Sequence, residues 1–145
     1  MTVYEQVNSP CLNLKIFDYF EVKNDECEKK LKLLGKTAWP PGEAVVRLYK
    51  IDGYYIGTVE DECESEHVRV IADNLDDTIE AMKEEMIKST RLYYDPDIAA
   101  YERIGDDERA KELEITRDEI IREIEENMKK LYRKAKAAES SRRSD

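Results

Sequence analysis

A single histidine, His67, limits the chemistry that this chain could perform. Any Ser-His or Cys-His nucleophilic pair must use it, and a metal site built on several histidines is excluded. His67 follows Glu64 and Glu66 in the sequence, and carboxylate neighbours favour the protonated imidazole, but ordinary surface positions provide such neighbours too. We therefore expect no catalytic residue and no enzymatic activity.

Two other kinds of site can be judged from spacing. The five glycines are isolated from one another, so no glycine-rich loop is present to cradle a phosphate. The acidic run could attract a hard cation, but a calcium loop needs ligands at fixed offsets and a glycine at the sharp turn, which this run lacks. We expect neither a metal nor a cofactor. The acidic run consists of Glu60, Asp61, Glu62, Glu64 and Glu66.

Charge is the strongest compositional signal. The formal net charge is −10, with 34 acidic against 24 basic side chains, and 40% of the residues are charged. Residues 129–145 are locally basic, so the first 128 residues are more acidic than the total suggests. An acidic body repels nucleic acid and anionic membranes and attracts basic surfaces. The basic tail could touch a phosphate backbone, lie against an acidic neighbour or simply be solvated.

The three cysteines and the first residues suggest a cellular location. Cys11, Cys27 and Cys63 are odd in number and contain no CxxC pair, a pattern that is typical of reduced thiols in a cytoplasmic protein. Residues 1–10 show no secretory signal, and no apolar run approaches the roughly 18 residues of a membrane span. We expect a cytoplasmic protein without a membrane contact.

The elements that must position any site begin with strands. Alternating and aromatic residues predict a strand over 12–22, and Asn24 could cap a short helix that ends at Gly35. After the Trp39–Gly42 loop, apolar runs at 44–51 and 54–59 flank Asp52-Gly53, the strongest short hairpin signal in a sequence. A third run at 67–72 completes a three-stranded meander.

Helices are predicted to follow the meander. Asn74 is placed to cap a helix that Pro96 should end, and 97–112 predicts a further short helix. Thr116 and Glu119 match a capping box for the last helix. From Ala138 the apolar periodicity stops, so the end should fray.

These elements give an α+β fold: a strand, a helix and a three-stranded antiparallel meander, followed by C-terminal helices. We expect a core domain over 1–95, a helical extension over 96–137 that packs on the core or on another subunit, and a flexible tail over 138–145.

Part of the meander resembles the HicB antitoxin family. The likeness rests on Gly53–Glu60, which reads GYYIGTVE, and on Ala72–Ala81, which reads ADNLDDTIEA, within about 45 of the 145 residues. The proline- and glycine-containing stretch of that family is replaced here by Glu62-Cys63-Glu64-Ser65. The resemblance implies an oligomeric inhibitor of a small basic RNase.

Charge and size together favour a non-catalytic binding protein. Carboxylates on a firm scaffold imitate the phosphates of nucleic acid and pair with clusters of Arg and Lys. We therefore expect an inhibitor of a basic, nucleic-acid-handling protein, of the kind that phages and mobile elements encode. If the acidic turn and the helix start adjoin in space, the contact face consists of Asp61, Glu62, Glu64, Glu66, Asp76, Asp77 and Glu80.

Two alternatives stay open. The last helix could pair with a second copy, which would make the chain an oligomeric module, and a small-ligand-binding protein is equally compatible with the pattern. The predicted oligomer interface consists of Ile120, Ile124, Met128 and Leu131.

Overall fold

Four consecutive strands form one antiparallel sheet, and two long helices follow it. A computed structural model describes residues 25–42, 44–61 and 66–143. The strand order is β1-β2-β3-β4, so every strand pairs with its neighbour in sequence, which confirms the α+β class. The elements are α1 (Asp25–Lys30), β1 (Lys32–Ala38), β2 (Val45–Ile51), β3 (Tyr54–Glu60), β4 (Glu66–Ala72), α2 (Leu75–Arg103) and α3 (Asp107–Arg143).

The meander has one strand more than predicted. The helix expected to end at Gly35 stops at Lys30, and β1 takes Leu34 and Gly35. Pairing with β2 gives β1 a ladder of backbone hydrogen bonds along its inner side, whereas a helix of this length is marginal by itself. The strand predicted over 12–22 lies outside the described residues.

The β2–β3 hairpin is confirmed. Asp52 and Gly53 both adopt positive φ, at 50° and 82°, as a two-residue hairpin turn requires. The turn fixes the register, with Ile51 opposite Tyr54 and Val45 opposite Glu60. Side chains at paired positions of the two strands therefore lie on the same face of the sheet and can be buried together.

Both helices pack on one face of this sheet. α2 contacts β3 and β4, whereas α3 contacts β1 and α2. Gly57 permits the close approach of α2, because a Cβ there would lie 2.7 Å from Met82 Cγ and Sδ. The core between sheet and helices includes Val46, Leu48, Val70, Met82, Met86, Ile124, Met128 and Leu131. A smaller apolar cluster on the opposite face comprises Cys27, Ile51, Ile56, Val68 and Ile71.

The helical boundaries differ from the prediction. Pro96 lies inside α2, which continues to Arg103, and the break falls at Gly105, whose φ is 82°. Asp106 accepts a hydrogen bond of 3.2 Å from the Arg109 amide and so caps α3. The helix predicted over 97–112 is therefore divided between α2 and α3. Side-chain packing between the two helices outweighs the loss of one backbone donor at the proline.

The prediction that Thr116 and Glu119 form a capping box is wrong. The Thr116 hydroxyl donates 3.1 Å to the carbonyl of Glu112, one turn earlier, so this residue lies in the middle of α3. The helix also continues past Ala138 to Arg143, into the segment expected to fray. Glu139 accepts hydrogen bonds from Lys50 and Tyr55, which secures this end against the sheet.

The two helices are longer than the sheet that they cover. α2 has 29 residues and α3 has 37, whereas each strand has seven. At 1.5 Å per helical residue and 3.3 Å per strand residue, α2 is about 44 Å long and a strand only about 23 Å. Residues 91–119 therefore extend beyond the sheet as a pair of antiparallel helices, which we term the arm.

Candidate interaction surface

The predicted acidic face does not form as one surface. Asp61 and Glu66 lie at the end of the sheet where β3 passes into β4, while Asp76 and Asp77 follow the other end of β4. Seven strand residues at about 3.3 Å each separate the two groups by roughly 20 Å. The expectation that the acidic turn adjoins the helix start is thus wrong. Glu62 and Glu64 lie outside the described residues.

Glu66 belongs to a polar network on the sheet. Its Oε1 accepts hydrogen bonds of 2.7 Å from both the Tyr49 hydroxyl and the Thr58 hydroxyl. Arg47 donates to Glu60 and lies 3.9 Å from Glu66. Burial, followed by the hydrogen bond to Glu66, raises the pKa of Tyr49. The half-buried carboxylate of Glu66 is therefore hydrogen-bonded within the molecule, where it links β4 to side chains of β2 and β3.

The acids at the start of α2 have local functions. The Asp77 amide donates 2.7 Å to Asn74 Oδ1, and Asn74 Nδ2 donates 2.7 Å to the Asp77 carboxylate, so the predicted cap is confirmed. Glu80 forms an ion pair of 2.9 Å with Lys83. Asp76 is exposed and lies in a groove between α2 and α3.

The apolar stripe of the last helix is internal. Its four residues are at most 6% exposed and pack in the core against the sheet and α2. They are therefore unavailable to a second copy, which corrects the oligomer interface predicted at Ile120, Ile124, Met128 and Leu131.

The arm carries most of the exposed apolar surface. Of the five large hydrophobic side chains exposed in the described residues, four belong to it: Leu92, Tyr93, Ile104 and Ile115, at 67%, 74%, 75% and 52%. Water contact disfavours such side chains, so the arm is a candidate contact surface for another molecule. Helical spacing with Met82 and Met86 predicts that Tyr93 faces the sheet, and its exposure shows that this prediction is wrong. The contrary signal was its place in a tyrosine cluster, since tyrosine is favoured at interfaces.

Contacts between the two helices hold the arm together. Arg117 forms an ion pair of 2.8 Å with Asp95, and the guanidinium of Arg109 lies 5.6 Å from the centre of the Tyr101 ring. Ile98 and Ala110 are buried between the helices. The hydrogen bond to Asp95, partly opposed by burial, raises the pKa of Arg117, so this cation persists at any ordinary pH.

Negative charge is concentrated at the same end. α2 starts where β4 ends and runs back along the sheet, so the arm leaves the sheet at the end where β3 passes into β4. Asp61, Glu66 and residues 91–119 together hold 12 acidic and five basic residues, a net charge of −7. We term this set of described residues the acidic end.

Positive charge lies at the opposite end. Lys129, Lys130, Arg133, Lys134 and Lys136 are exposed on α3, beside the start of α2. We term these five residues the basic face. The Lys136 ammonium lies 5.5 Å from the centre of the Tyr132 ring, and Lys134 Nζ donates to the Lys36 carbonyl at 3.4 Å. The remaining cations point to solvent.

A groove of about 430 Å³ adjoins the basic face. Ile79, Met128 and Tyr132 supply its apolar lining. Three cations and three carboxylates surround it: Lys83, Lys129, Arg133, Asp76, Glu80 and Glu125. A mixed groove of this size can accept a side chain or a small ligand.

One prediction about the cysteines is wrong. Cys27 is disulfide-bonded and 5% exposed, so the expectation of three reduced thiols fails at this position. Cys11 and Cys63 lie outside the described residues. Spacing gave no signal for this bond, because a disulfide depends on proximity in space.

The described residues contain neither a cluster of metal ligands nor a membrane-spanning helix. Within 25–42, 44–61 and 66–143, no three His, Cys, Asp or Glu side chains are grouped to hold a metal ion. No helix of this part of the chain combines the length and apolar character that crossing a membrane requires.

No protein-family model matches this chain, and comparisons with curated proteins and with solved structures found no match. The resemblance to HicB antitoxins stays a prediction.

Proposed function

We propose that this protein is a non-catalytic binding protein that inhibits or sequesters a basic, nucleic-acid-handling protein. The observation that supports this proposal is the acidic end, where a net charge of −7 and four exposed hydrophobic side chains occur together. The HicB-like pattern implies the same class of function.

The two features have different effects on binding. Carboxylates attract a basic surface over a distance and orient it, and they form charge-assisted hydrogen bonds with Arg and Lys on contact. Exposed apolar side chains contribute most of the affinity when they enter a dry pocket. An acidic surface without exposed apolar side chains would serve solubility alone. The exposed hydrophobic side chains of the arm therefore favour recognition of a protein partner.

The rigidity of the arm favours the same conclusion. Ordering a flexible loop at an interface costs free energy, which weakens binding. The Asp95–Arg117 ion pair and the buried Ile98 and Ala110 order the arm before any partner arrives. The arm thus presents its carboxylates at fixed spacings, as imitation of a phosphate backbone requires.

A cytoplasmic location is part of the proposal, since the partner handles nucleic acid. The disulfide of Cys27 bears on it, because structural disulfides are rare in the cytoplasm. Alkylation of thiols during cell lysis, followed by mass spectrometry, tests the location. Complete alkylation of Cys27 would show that its thiol is reduced in the compartment where the protein resides, as a cytoplasmic location predicts.

Affinity capture from lysate tests the proposed contact. Leu92→Ser with Ile104→Ser removes two of the exposed hydrophobic side chains, and Asp107→Lys with Glu108→Lys reverses two exposed charges without touching the cap at Asp106. Both variants should lose the proteins that wild type captures at low salt. The captured proteins should be basic, and their binding should weaken at moderate salt.

The matched control reverses two acids at the opposite end. Asp76→Lys with Glu80→Lys changes the net charge as much as the arm variant does, and it should leave capture intact. Circular dichroism establishes that each variant is folded. The proposal fails if the arm variants capture the same basic proteins as wild type, or if only the control loses them.

A further inference from the structure

We propose that the tip of the arm of one copy docks into the groove beside the basic face of a second copy. The inference shares the arm with the proposed function, but it adds a second surface and does not need a foreign partner. It rests on complementarity between two ends of the same chain.

The tip combines one apolar side chain with several carboxylates. Ile104 is 75% exposed at the end of α2, and Gly105 turns the chain there with a φ of 82°. Asp106, Asp107 and Glu108 follow directly and are all exposed. An aliphatic side chain is thus surrounded by negative charge.

The groove combines apolar contacts with unpaired cations. Ile79, Met128 and Tyr132 provide the apolar contacts, and Lys129 and Arg133 stand at its edge. Among the described residues, no carboxylate lies within 4.0 Å of either cation, whereas Lys83 is paired with Glu80. Lys129 and Arg133 are therefore available to an incoming carboxylate. Asp76 and Glu125 also line the groove and offset these two charges, so the attraction of an acidic tip comes from the whole basic face.

One copy cannot fill its own groove. The groove residues of α2 end at Lys83, and Ile104 lies 21 positions further along the chain, almost entirely within the same helix. At 1.5 Å per residue this separates tip and groove by about 30 Å. The contact must therefore form between two molecules.

The charges decide which ends meet. Two arms repel each other, because each acidic end carries a net −7. Two basic faces repel for the same reason, so the favourable contact joins unlike ends. Two antiparallel copies can form this contact twice and close as a dimer, whereas a single contact leaves one arm and one groove unfilled, so that association continues as a chain or closes as a ring.

Sedimentation velocity of the full chain tests this arrangement with two variants. The arm variant is Ile104→Ser with Asp107→Lys, and the groove variant is Lys129→Glu with Arg133→Glu. Wild type should associate into dimers or larger assemblies as its concentration rises, and less so as salt is added. Each variant alone should associate at least about tenfold more weakly, since each lacks one of the two complementary surfaces.

A mixture of the two variants gives the sharpest result. The intact groove of the arm variant can accept the intact arm of the groove variant, so the mixture should form a one-to-one dimer that does not extend. The matched control is Lys32→Glu with Arg69→Glu, which replaces two exposed cations elsewhere on the sheet by glutamate. It changes the net charge as much as the groove variant does and should associate like wild type.

Several outcomes would overturn the inference: a wild type that stays monomeric at every concentration, an arm variant that associates as strongly as wild type, a mixture that stays monomeric, or a groove that binds only a small ligand or nucleic acid. Capture from lysate separates this failure from that of the proposed function. A monomeric wild type whose arm variants still lose basic proteins would contradict self-association and leave the proposed function standing.

Discussion

Tyr55 donates a hydrogen bond of 2.8 Å to Glu139, 84 positions further along the chain. Lys50 Nζ donates to the same carboxylate at 2.9 Å and lies 5.1 Å from the centre of the Tyr55 ring. These contacts join the last turns of α3 to the hairpin end of the two central strands, β2 and β3. The C-terminal helix is thereby part of the core domain and not an appendage.

Glu139→Ala should destabilise the fold by about 1 kcal/mol, since it removes two charge-assisted contacts at a partly exposed site. A decrease in Tm of about 2–4 °C is expected for a chain of this size. Glu139→Gln, which keeps an acceptor for Tyr55, should cost less. An unchanged Tm in Glu139→Ala would show that the contact does not stabilise the protein.

The Glu139 contact should also depend on pH. Burial alone would raise the pKa of Glu139, but the hydrogen bonds from Lys50 and Tyr55 outweigh burial and lower it. A lowered folded-state pKa gives stability that is present above the ordinary carboxyl range and is lost as the pH falls through the folded value. The difference in unfolding free energy between wild type and Glu139→Ala should therefore shrink in acid. A constant difference from neutral to acidic pH would contradict this.

Gly57→Ala should destabilise the protein by about 1–3 kcal/mol, because the new methyl group overlaps Met82 in a packed core. Chemical denaturation measures the effect. The penalty should be smaller in a Met82→Ala background, where the space is free. Gly42→Ala is the control, because no described atom lies within 4 Å of its added methyl group. Equal effects at both glycines would refute close packing at Gly57.

Tyr49 should ionise above the ordinary tyrosine range. Burial and the hydrogen bond to Glu66 raise its pKa, so the network contributes stability that is full below the ordinary pKa and is lost as the pH rises through the folded value. Ultraviolet titration of wild type against Tyr49→Phe isolates its phenolate signal. Glu66→Gln should bring the transition to lower pH. A Tyr49 phenolate that appears at the ordinary pKa would count against the network.

Pro96→Ala should stabilise the protein by about 1–3 kcal/mol. Proline cannot donate a backbone hydrogen bond to the carbonyl of Leu92, and it is costly inside a helix. Hydrogen exchange of the arm amides should slow, and Tm should rise. Asp97→Ala, the next position, is the control and should have little effect. A lower Tm in Pro96→Ala would indicate that the proline has a favourable role in the arm.

Local signals predicted the parts of the fold that depend on few residues. Asp52-Gly53 specifies a turn that needs positive φ at both positions, and Asn74 with Asp77 specifies a cap, so both follow from residue type and spacing. β1 does not. Its Lys-Leu-Leu-Gly sequence suits a helix end equally well, and only pairing with β2 decides in favour of a strand.

The sequence predicted an acidic surface but not where its carboxylates lie in the fold. Proximity in sequence is a poor guide when a strand intervenes: Glu66 and Asp76 are ten positions apart, yet β4 carries them to opposite ends of the sheet. The arm was not predicted, because a proline such as Pro96 ordinarily ends a helix. Contacts across two helices, such as Asp95 with Arg117, decide whether a helix passes a proline, and they are not visible in a local pattern.

The separation of acidic end and basic face gives the molecule a large electric dipole moment. In the field of a charged surface such a molecule experiences a torque as well as an attraction, and it turns before it touches. A positively charged target would meet the tip around Ile104 first, and a polyanion would meet α3 near Arg133. Added salt should therefore randomise the direction of approach before it abolishes the final contact.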